Sequence, residues 1–413
     1  MDAIDLPEDV IVQLERIGAT DVAVGLVTAG PGPALADVAA AIKAGLDARF
    51  SGQSAVLIQV DRAASDEAAA QLALGLGGLP VVRVPHATAL DGDDDALEWS
   101  DAVHTVLRAG QAAQARAILM LNAEAPGMPP EWPAGLAEPV LKDDCGLVLG
   151  MYQRNRYDGT LTQSLVIPFI RGLFGQQFRQ PMADEFACSA EAASFFLAQD
   201  VWTTDLGRQG LPFWLPLAAI DHGVPVGQAV LGRRGAATAP RPAPLGPTVG
   251  RVAGALFSLA ERFESLWLDR RGSEPVRIFG ALPEPSAGGA GVDPERMQVG
   301  FRQGVRDLLP IWERILAPET LGDVLAVSEG ESGAAVLTDR LWARIVFDFL
   351  LAYRARVMYR THLVQSLAPL YLGRVAALVR QTRAQPAAAV VEAMERLGRV
   401  FEEEKPYLTD RWR

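Results

Sequence analysis

The stretch AVLIQVDRAASDEAAA, residues 55–70, decides the fold class of this chain. Its first six residues form an apolar run typical of a buried strand, and the acidic segment that follows is typical of the start of a helix. The same order occurs upstream, where DVAVGLV (21–27) is followed by the loop TAGPGP and by helical spacing over 34–50. The amino-terminal part is therefore predicted to alternate strands and helices.

Three further strands are predicted at 81–84, 117–121 and 146–151. Strands that are separated by helices favour a mostly parallel sheet, and such sheets bind ligands at the carboxyl ends of their strands. The loops expected to line a site therefore begin near four residues: Thr28, Asp61, Pro85 and Asn122.

The remainder of the chain changes character. A Gly/Pro/Ala-rich segment at 232–247 predicts a loop or lid, 251–268 predicts an amphipathic helix, and 285–294 is a second Gly/Pro-rich break. From 295 to 413 the pattern is nearly all helical. It includes an apolar-aromatic stretch that indicates helix packing or a dimer seam, with Trp342, Phe347, Phe349, Tyr353 and Tyr359. We predict one domain over 1–285 and a helical region, for dimerisation or packing, over 295–413.

Composition excludes several classes of function. The net charge is −12, which disfavours nucleic-acid binding because phosphate backbones repel an acidic chain. Two cysteines, Cys145 and Cys188, cannot build a disulfide framework. The acidic amino terminus does not resemble a signal peptide, and no uncharged apolar run is long enough to span a membrane, so a cytoplasmic protein is expected.

Several segments, in order and at similar spacing, resemble a bacterial branch of family-2-like glycosyltransferases related to the glucosylglycerate and mannosylglycerate synthases. The quoted segments begin at residue 152, and the resemblance covers essentially the whole chain. The segments are YQRNRYDGTLTQSLVIPFIRGLFG (152–175), RQPMADEFACSA (179–190), QDVWTTDLGRQG (199–210), LGPTVGRVAGALFSLAERFESLW (245–267), RGSEPVRIFG (271–280), LAPLYLGRVAALVRQTR (367–383) and KPYLTDRWR (405–413).

This resemblance implies a GT-A fold, in which a Rossmann-like, mostly parallel sheet binds a nucleotide sugar. It also implies a divalent metal (Mg²⁺ or Mn²⁺), a small hydroxy-acid acceptor such as glycerate or phosphoglycerate, and a dimer assisted by the C-terminal helices. The expected fold class is thus α/β of the GT-A type with a helical C-terminal region.

The metal-binding motif of the family is degenerate here. Its Asp-x-Asp positions correspond to Asn122, Ala123 and Glu124, so only Glu124 retains a carboxylate that could hold a metal, and weakly. The position of a second metal ligand, a histidine in the relatives, corresponds to Ala236. The resemblance therefore implies that metal binding is impaired.

The donor-binding loops are altered as well. Where the relatives carry a basic GKGSALR-like segment, this chain has GDDDALE (92–98), an acidic loop that would repel a pyrophosphate. The donor-side residues that the matching suggests are Thr28, Asp61, Asn122 and Glu124. Asp61 is the best preserved of these and is a candidate to bind a nucleobase or a ribose.

The acceptor-side motif is closer to the family pattern. The acceptor-binding candidates are Arg156, Asp158, Gly159, Thr160, Arg179 and Asp205. Nearby, Glu185 and Pro212 each replace an aspartate of the family pattern. The alternative interpretation of the preserved positions is that they hold the fold.

Two functional hypotheses remain open from the sequence, and neither assigns a catalytic residue. In the first, the chain is a pseudoglycosyltransferase that binds a ligand or a partner, as a homodimer or as a heteromer with an active paralogue. In the second, it is a metal-independent hexosyltransferase in which arginines replace the ion; the candidates are Arg154, Arg156, Arg233 and Arg234. Other chemistry, such as hydrolysis by paired carboxylates, lacks a defensible pair.

Overall fold

The computed structural model describes residues 6–32, 34–85, 95–123, 127–182, 184–233, 244–282, 292–330 and 337–413. Contacts divide the chain into two compact units. The first contains Met1–Gln153, Gln180–Pro240 and Arg277–Pro283, and the second contains Arg154–Arg179, Arg241–Val276 and Glu284–Arg413. This division differs from a single boundary near residue 285, because two earlier segments pack with the C-terminal helices.

The strands of the described residues are β1 Val22–Thr28, β2 Ala55–Asp61, β3 Val81–Pro85, β4 Ala117–Asn122, β5 Leu147–Gln153, β6 Gln176–Gln177, β7 Phe186–Ser189, β8 Val226–Arg233, β9 Glu274–Pro275 and β10 Arg277–Phe279. Eight of them form the sheet of the first unit, in the order β10-β8-β5-β7-β4-β1-β2-β3. All neighbouring strands are parallel except β7, which runs antiparallel to both β4 and β5. The predicted mostly parallel sheet is confirmed, and each of the five predicted strands is present to within two residues.

The helices of both units follow in chain order. They are α1 Glu8–Ile17, α2 Leu35–Arg49, α3 Asp66–Leu76, α4 Asp95–Ala112, α5 Glu131–Lys142, α6 Ile167–Phe174, α7 Ala190–Leu197, α8 Asp205–Asp221, α9 Leu245–Arg262, α10 Glu264–Trp267, α11 Pro294–Trp312, α12 Pro318–Glu329, α13 Asp339–Ala355, α14 Arg360–Gln365, α15 Ala368–Thr382, α16 Ala388–Glu403 and α17 Lys405–Trp412. A π-helix over Thr162–Val166 precedes α6, and a 3₁₀-helix over Asp200–Thr203 precedes α8.

Helices pack on both faces of the sheet. Side chains along a strand alternate between the two faces, so each strand contributes side chains to both sides. Val24 and Leu26 of β1 belong to an apolar core with Val38 and Ile42 of α2. Gly25 faces the other way, where a Cβ atom would lie 2.3 Å from the Val106 side chain of α4. A glycine at that position therefore permits α4 to approach the sheet closely.

Where the structure describes it, the second unit is helical apart from the short parallel pair β6 and β9. Within it α11 packs on α15, α16 packs on α6, and α9 packs on α14. Trp342, Phe347 and Phe349 of α13 are fully buried, so these aromatic side chains pack inside the unit. Tyr359 is the exception, since it is 73% exposed.

The helical stretch Arg360–Thr382 has a mean hydropathy of 1.2 and is long and apolar enough to cross a membrane by these two criteria. However, 78% of its apolar window is buried inside the structure. Burial of this kind is typical of a core helix. It is the one such helix within the described ranges.

Candidate functional site

The carboxyl ends of the strands meet along one edge of the sheet in the first unit. Register pairs Thr28 with Asp61 across β1 and β2, and Asn122 with Val27 across β4 and β1. Three of the four predicted donor-side residues, Thr28, Asp61 and Asn122, therefore lie along this edge. Glu124, the fourth, lies outside the described residues, as do residues 92–94 of the acidic loop and Ala236.

Asp61, at the end of β2, is engaged on both carboxylate oxygens. Its Oδ1 accepts a hydrogen bond from the Ala63 amide at 3.2 Å, and its Oδ2 accepts one from the Ser65 amide at 3.0 Å. Arg83 of β3 binds Oδ2 as well, with Nε at 2.7 Å and the second guanidinium nitrogen at 2.6 Å. The Asp61 side chain has no exposed surface. It therefore acts as an internal hydrogen-bond acceptor in this structure.

The loop after β2 is bent around that carboxylate. Ala64 adopts a left-handed backbone conformation with a φ of 47°, which is unfavourable for a residue with a Cβ atom. Ser65 then caps α3 by accepting a hydrogen bond from the Ala68 amide at 3.2 Å. The amide bonds to Asp61 and the Ser65 cap together hold the loop in this conformation.

Thr28, at the end of β1, is also bound within the chain. Gln59 of β2 donates from Nε2 to the Thr28 hydroxyl at 3.1 Å, and both side chains are buried. The sequence reasoning did not identify Gln59 or Arg83 as site residues. The signal available for both was a polar residue inside an otherwise apolar strand.

The described residues of this edge do not form a site for a hard divalent cation. Asn122 offers a neutral amide, and Mg²⁺ or Mn²⁺ prefers carboxylate oxygens. Within the part of the chain that the structure describes, no group of three or more His, Cys, Asp or Glu side chains could hold a metal ion.

A buried polar network lies at the ends of β5 and β7. The Gln180 side chain binds the main chain of Tyr152 on both sides, accepting from its amide at 3.1 Å and donating to its carbonyl at 2.5 Å. Gln228 of β8 donates to the Gln180 carbonyl at 2.9 Å, and the Tyr152 hydroxyl donates to Glu185. Since Glu185 is fully buried, this network joins three strands rather than facing solvent.

The predicted acceptor loop belongs to the second unit and is bound to its helices. Arg156 donates to the carbonyls of Arg383, at 3.2 Å, and of Gln385, just after α15. The neighbouring Tyr157 hydroxyl lies 3.0 Å from the Thr382 hydroxyl. Arg156 thus satisfies main-chain acceptors at a helix end, a structural task.

The next three residues are similarly engaged. Asp158 accepts hydrogen bonds from the amide and the side chain of Asn155, at 3.1 and 2.8 Å. Gly159 has a φ of 70°, which favours glycine, and the Thr160 hydroxyl lies 2.6 Å from that of Tyr371. Burial raises the pKa of Tyr371 to about 12, so this phenol stays protonated at neutral pH.

The last two acceptor candidates belong to different units. Arg179 binds Glu395 of α16 at 2.6 Å in the second unit, beside the buried Arg171, which binds Glu395 at 2.7 Å. Asp205 is the first residue of α8 in the first unit, directly after the cap Thr204. The described structure therefore joins Arg156, Asp158, Gly159 and Thr160 in one loop, while Arg179 and Asp205 lie on other segments.

The fold and this edge together define an α/β protein with a polar strand-end edge and a helical second unit. No family model matches the chain, and no curated protein sequence matches it. Solved structures with a similar fold include glucosyl-3-phosphoglycerate synthase of Mycobacterium tuberculosis, at 19% identity over 61% of this chain and 84% of that chain, with a TM-score of 0.41. The same enzyme in complex with Mn²⁺, UDP and phosphoglyceric acid matches at 19% identity, 61% and 82% coverage and a TM-score of 0.42. A mycobacterial protein matches at 18% identity, 62% and 80% coverage and a TM-score of 0.42.

Proposed function

We propose that this chain is a non-catalytic relative of the nucleotide-sugar glycosyltransferases, which acts by binding a partner or a small ligand. The resemblance of its sequence segments to that family supports the ancestry. The geometry of the strand-end edge supports the loss of donor binding. The protein is expected to reside in the cytoplasm.

The observation that carries this proposal is the burial of Asp61 and its ion pair with Arg83. A carboxylate that is to bind a nucleobase or a ribose needs a free oxygen facing the ligand, whereas Asp61 is buried and held by Arg83 and two main-chain amides. Separating the buried Asp61 carboxylate from Arg83 costs free energy, because neutral donors would have to replace a charged one. A donor would have to supply that free energy before it gained any affinity.

The acceptor side supports the same proposal. Arg156, Thr160 and Arg179 each bind a partner within their own unit, so holding the fold accounts for their presence. One polar atom of the three residues is left over, since Arg156 Nε is buried and has no hydrogen-bond partner among the described residues. We expect the second unit to provide the binding surface, through the C-terminal helices, in a homodimer or in a heteromer with a paralogue.

The alternative is an active, metal-independent hexosyltransferase that moves a sugar from a nucleotide sugar to a small hydroxy acid such as glycerate. One observation favours it: Arg233 is exposed at the carboxyl end of β8, paired in register with Gln153 at the end of β5. A fixed positive charge at such an edge could stabilise a departing nucleoside diphosphate. Under this alternative, Mg²⁺ or Mn²⁺ is dispensable.

Calorimetric titration of the full chain with UDP, GDP, UDP-glucose and GDP-mannose, each with and without Mn²⁺, separates the two functions. The proposal expects dissociation constants above about 1 mM for all four, equivalent to less than about 4 kcal/mol of binding free energy. Micromolar binding together with transfer of glucose or mannose to glycerate or phosphoglycerate would establish the enzyme instead.

Variants test whether any sugar transfer depends on Arg233 and Arg234. If the chain is an enzyme, the Arg233→Ala/Arg234→Ala double variant should lose transfer. Arg277→Ala is the matched control, because this exposed arginine of β10 lies beside Gly227, near the opposite end of β8. The homodimer is tested by light scattering, which measures the mass in solution for comparison with the monomer mass of 44.2 kDa.

A further inference from the structure

Four polar side chains form a row on one face of the sheet at the carboxyl ends of β1, β2 and β3. Register places Thr28 beside Asp61 and Gln59 beside Arg83. Gln59 and Asp61 are two residues apart on β2, so they share a face of the sheet. The row therefore combines acceptors from two strands with one cation from a third.

Arg83 is the member of this row that meets solvent. Its side chain is 30% exposed, whereas that of Asp61 is entirely buried. A second contact joins the first guanidinium nitrogen of Arg83 to Asp66 Oδ1 at 2.8 Å. The Asp66 side chain is 98% exposed, so this contact lies at the surface. Arg83 therefore has a surface partner that it can keep when it leaves Asp61.

Gln59 provides an independent observation. Its Nε2 is used by Thr28, but its Oε1 is buried and has no hydrogen-bond partner among the described residues. Buried polar atoms in folded proteins are nearly always bonded, and exceptions point to a bound water or to a ligand. A second acceptor beside Asp61 thus lacks a donor from the chain.

We propose that Arg83 is an internal occupant of a ligand position at this edge. Its guanidinium occupies the position that the hydroxyl and N–H groups of a nucleoside would take. When Arg83 swings toward Asp66, Asp61 and Gln59 accept hydrogen bonds from those groups instead. The inference rests on the proposed function, because it supplies the physical reason why donor binding is suppressed in the resting protein. An acidic side chain at the end of a strand in such a sheet is well placed to bind ribose hydroxyls.

The test measures binding of UDP and of 2′-deoxy-UDP, by calorimetry, to the wild-type chain and to Arg83→Met. Methionine keeps most of the length and removes the charge and the donors. The proposal expects Arg83→Met to bind UDP at least tenfold more tightly than wild type, and 2′-deoxy-UDP less tightly than UDP. Arg116→Met is the matched control, because it removes another ion pair of the same unit, that with Asp21, and should bind as wild type does.

The double variant Asp61→Asn/Arg83→Met should lose the gain. A folded Arg83→Met protein that binds UDP no better than wild type overturns the inference and leaves the proposed function standing. Micromolar binding of UDP by wild type overturns the proposed function. The ratio of the UDP dissociation constants of wild type and Arg83→Met then still decides the role of Arg83. If Arg83→Met does not fold, Arg83→Lys, which keeps the charge but not the forked donors, becomes the variant on which the ratio is judged.

Discussion

The indole nitrogen of Trp342, on α13, donates a hydrogen bond of 2.6 Å to the carbonyl of Ser164 inside the π-helix. The two residues are 178 positions apart in the chain and both are buried. A π-helix is rare and occurs mostly as a single turn inside an α-helix, frequently at a functional site. We infer that Trp342 is the contact that stabilises this one.

Replacing Trp342 with phenylalanine tests that role. The change leaves the Ser164 carbonyl buried without this donor, which should lower the free energy of unfolding by about 1–3 kcal/mol beyond the loss of packing. The measurement is urea-induced unfolding followed by circular dichroism. Trp214→Phe is the control, because the Trp214 indole nitrogen is buried with no hydrogen-bond partner in the described part of the chain. Equal losses in the two variants would contradict the assignment.

At Ala64 we predict a substitution that raises the free energy of unfolding instead of lowering it. Its left-handed conformation costs about 1–2 kcal/mol in a residue with a Cβ atom, and glycine removes that cost while adding freedom to the unfolded chain. Ala64→Gly should therefore raise the free energy of unfolding by up to about 1 kcal/mol. Ala70→Gly, at an exposed site within α3, should lower it by about 1 kcal/mol. A loss of stability in Ala64→Gly would show that the loop is not strained.

Lys405 gives a prediction for pH dependence. Its ammonium donates to the carbonyls of Leu173 and Arg270, each at 2.7 Å. Burial, and then the charge of Arg270, lower the pKa of Lys405 to about 8 from 10.5. The unfolded chain thus holds the proton that the folded protein releases between pH 8 and 10.5, so this group makes the folded state gain stability as pH rises through that window.

The variant Lys405→Met removes this titration. The difference in unfolding free energy between wild type and variant should shift in favour of wild type by up to about 3 kcal/mol between pH 8 and 10.5, since one pKa unit is worth about 1.4 kcal/mol. Denaturant unfolding at several pH values measures it. A difference that stays constant across the window would show that Lys405 titrates normally.

A substitution at Arg156 tests whether this residue stabilises the fold or binds an acceptor. Its two hydrogen bonds to main-chain carbonyls after α15 should be worth about 1.5–3 kcal/mol as bonds from a charged donor, so Arg156→Ala should lower stability by about that amount. Arg399, exposed on α16, provides the control Arg399→Ala, which should change stability by less than about 0.5 kcal/mol. A stable Arg156→Ala protein would return Arg156 to the list of ligand-binding residues.

The strands and helices were predictable where the pattern is local. The run 55–60 is apolar and is followed by acidic helix-forming residues, and β2 and α3 appear there with only one residue added to the strand. The aromatic stretch at Trp342 predicted helix packing or a dimer seam for a similar reason, because one apolar face must be buried. Tyr359 departs from that pattern, since it lies at the start of α14 and faces solvent.

The site was less predictable because its residues acquire their roles from distant partners. Asp61 was recognised at the end of β2, but Arg83, which binds it, comes from a different strand and was not considered. Arg156 was assigned to an acceptor, whereas its hydrogen bonds go to carbonyls 227 and 229 positions away. No local pattern records such distances.

The sequence by itself determined the alternation of strands and helices, the mostly parallel sheet and the helical C-terminal region, because hydrophobic periodicity and turn residues act over a few positions. Only the tertiary structure decided which polar groups meet. It inserted β7 antiparallel between β4 and β5, divided the chain into its two units, and placed Arg83 against Asp61. The physical reason is that a buried charge takes whichever partner the packing brings within hydrogen-bond distance, and packing depends on the whole chain.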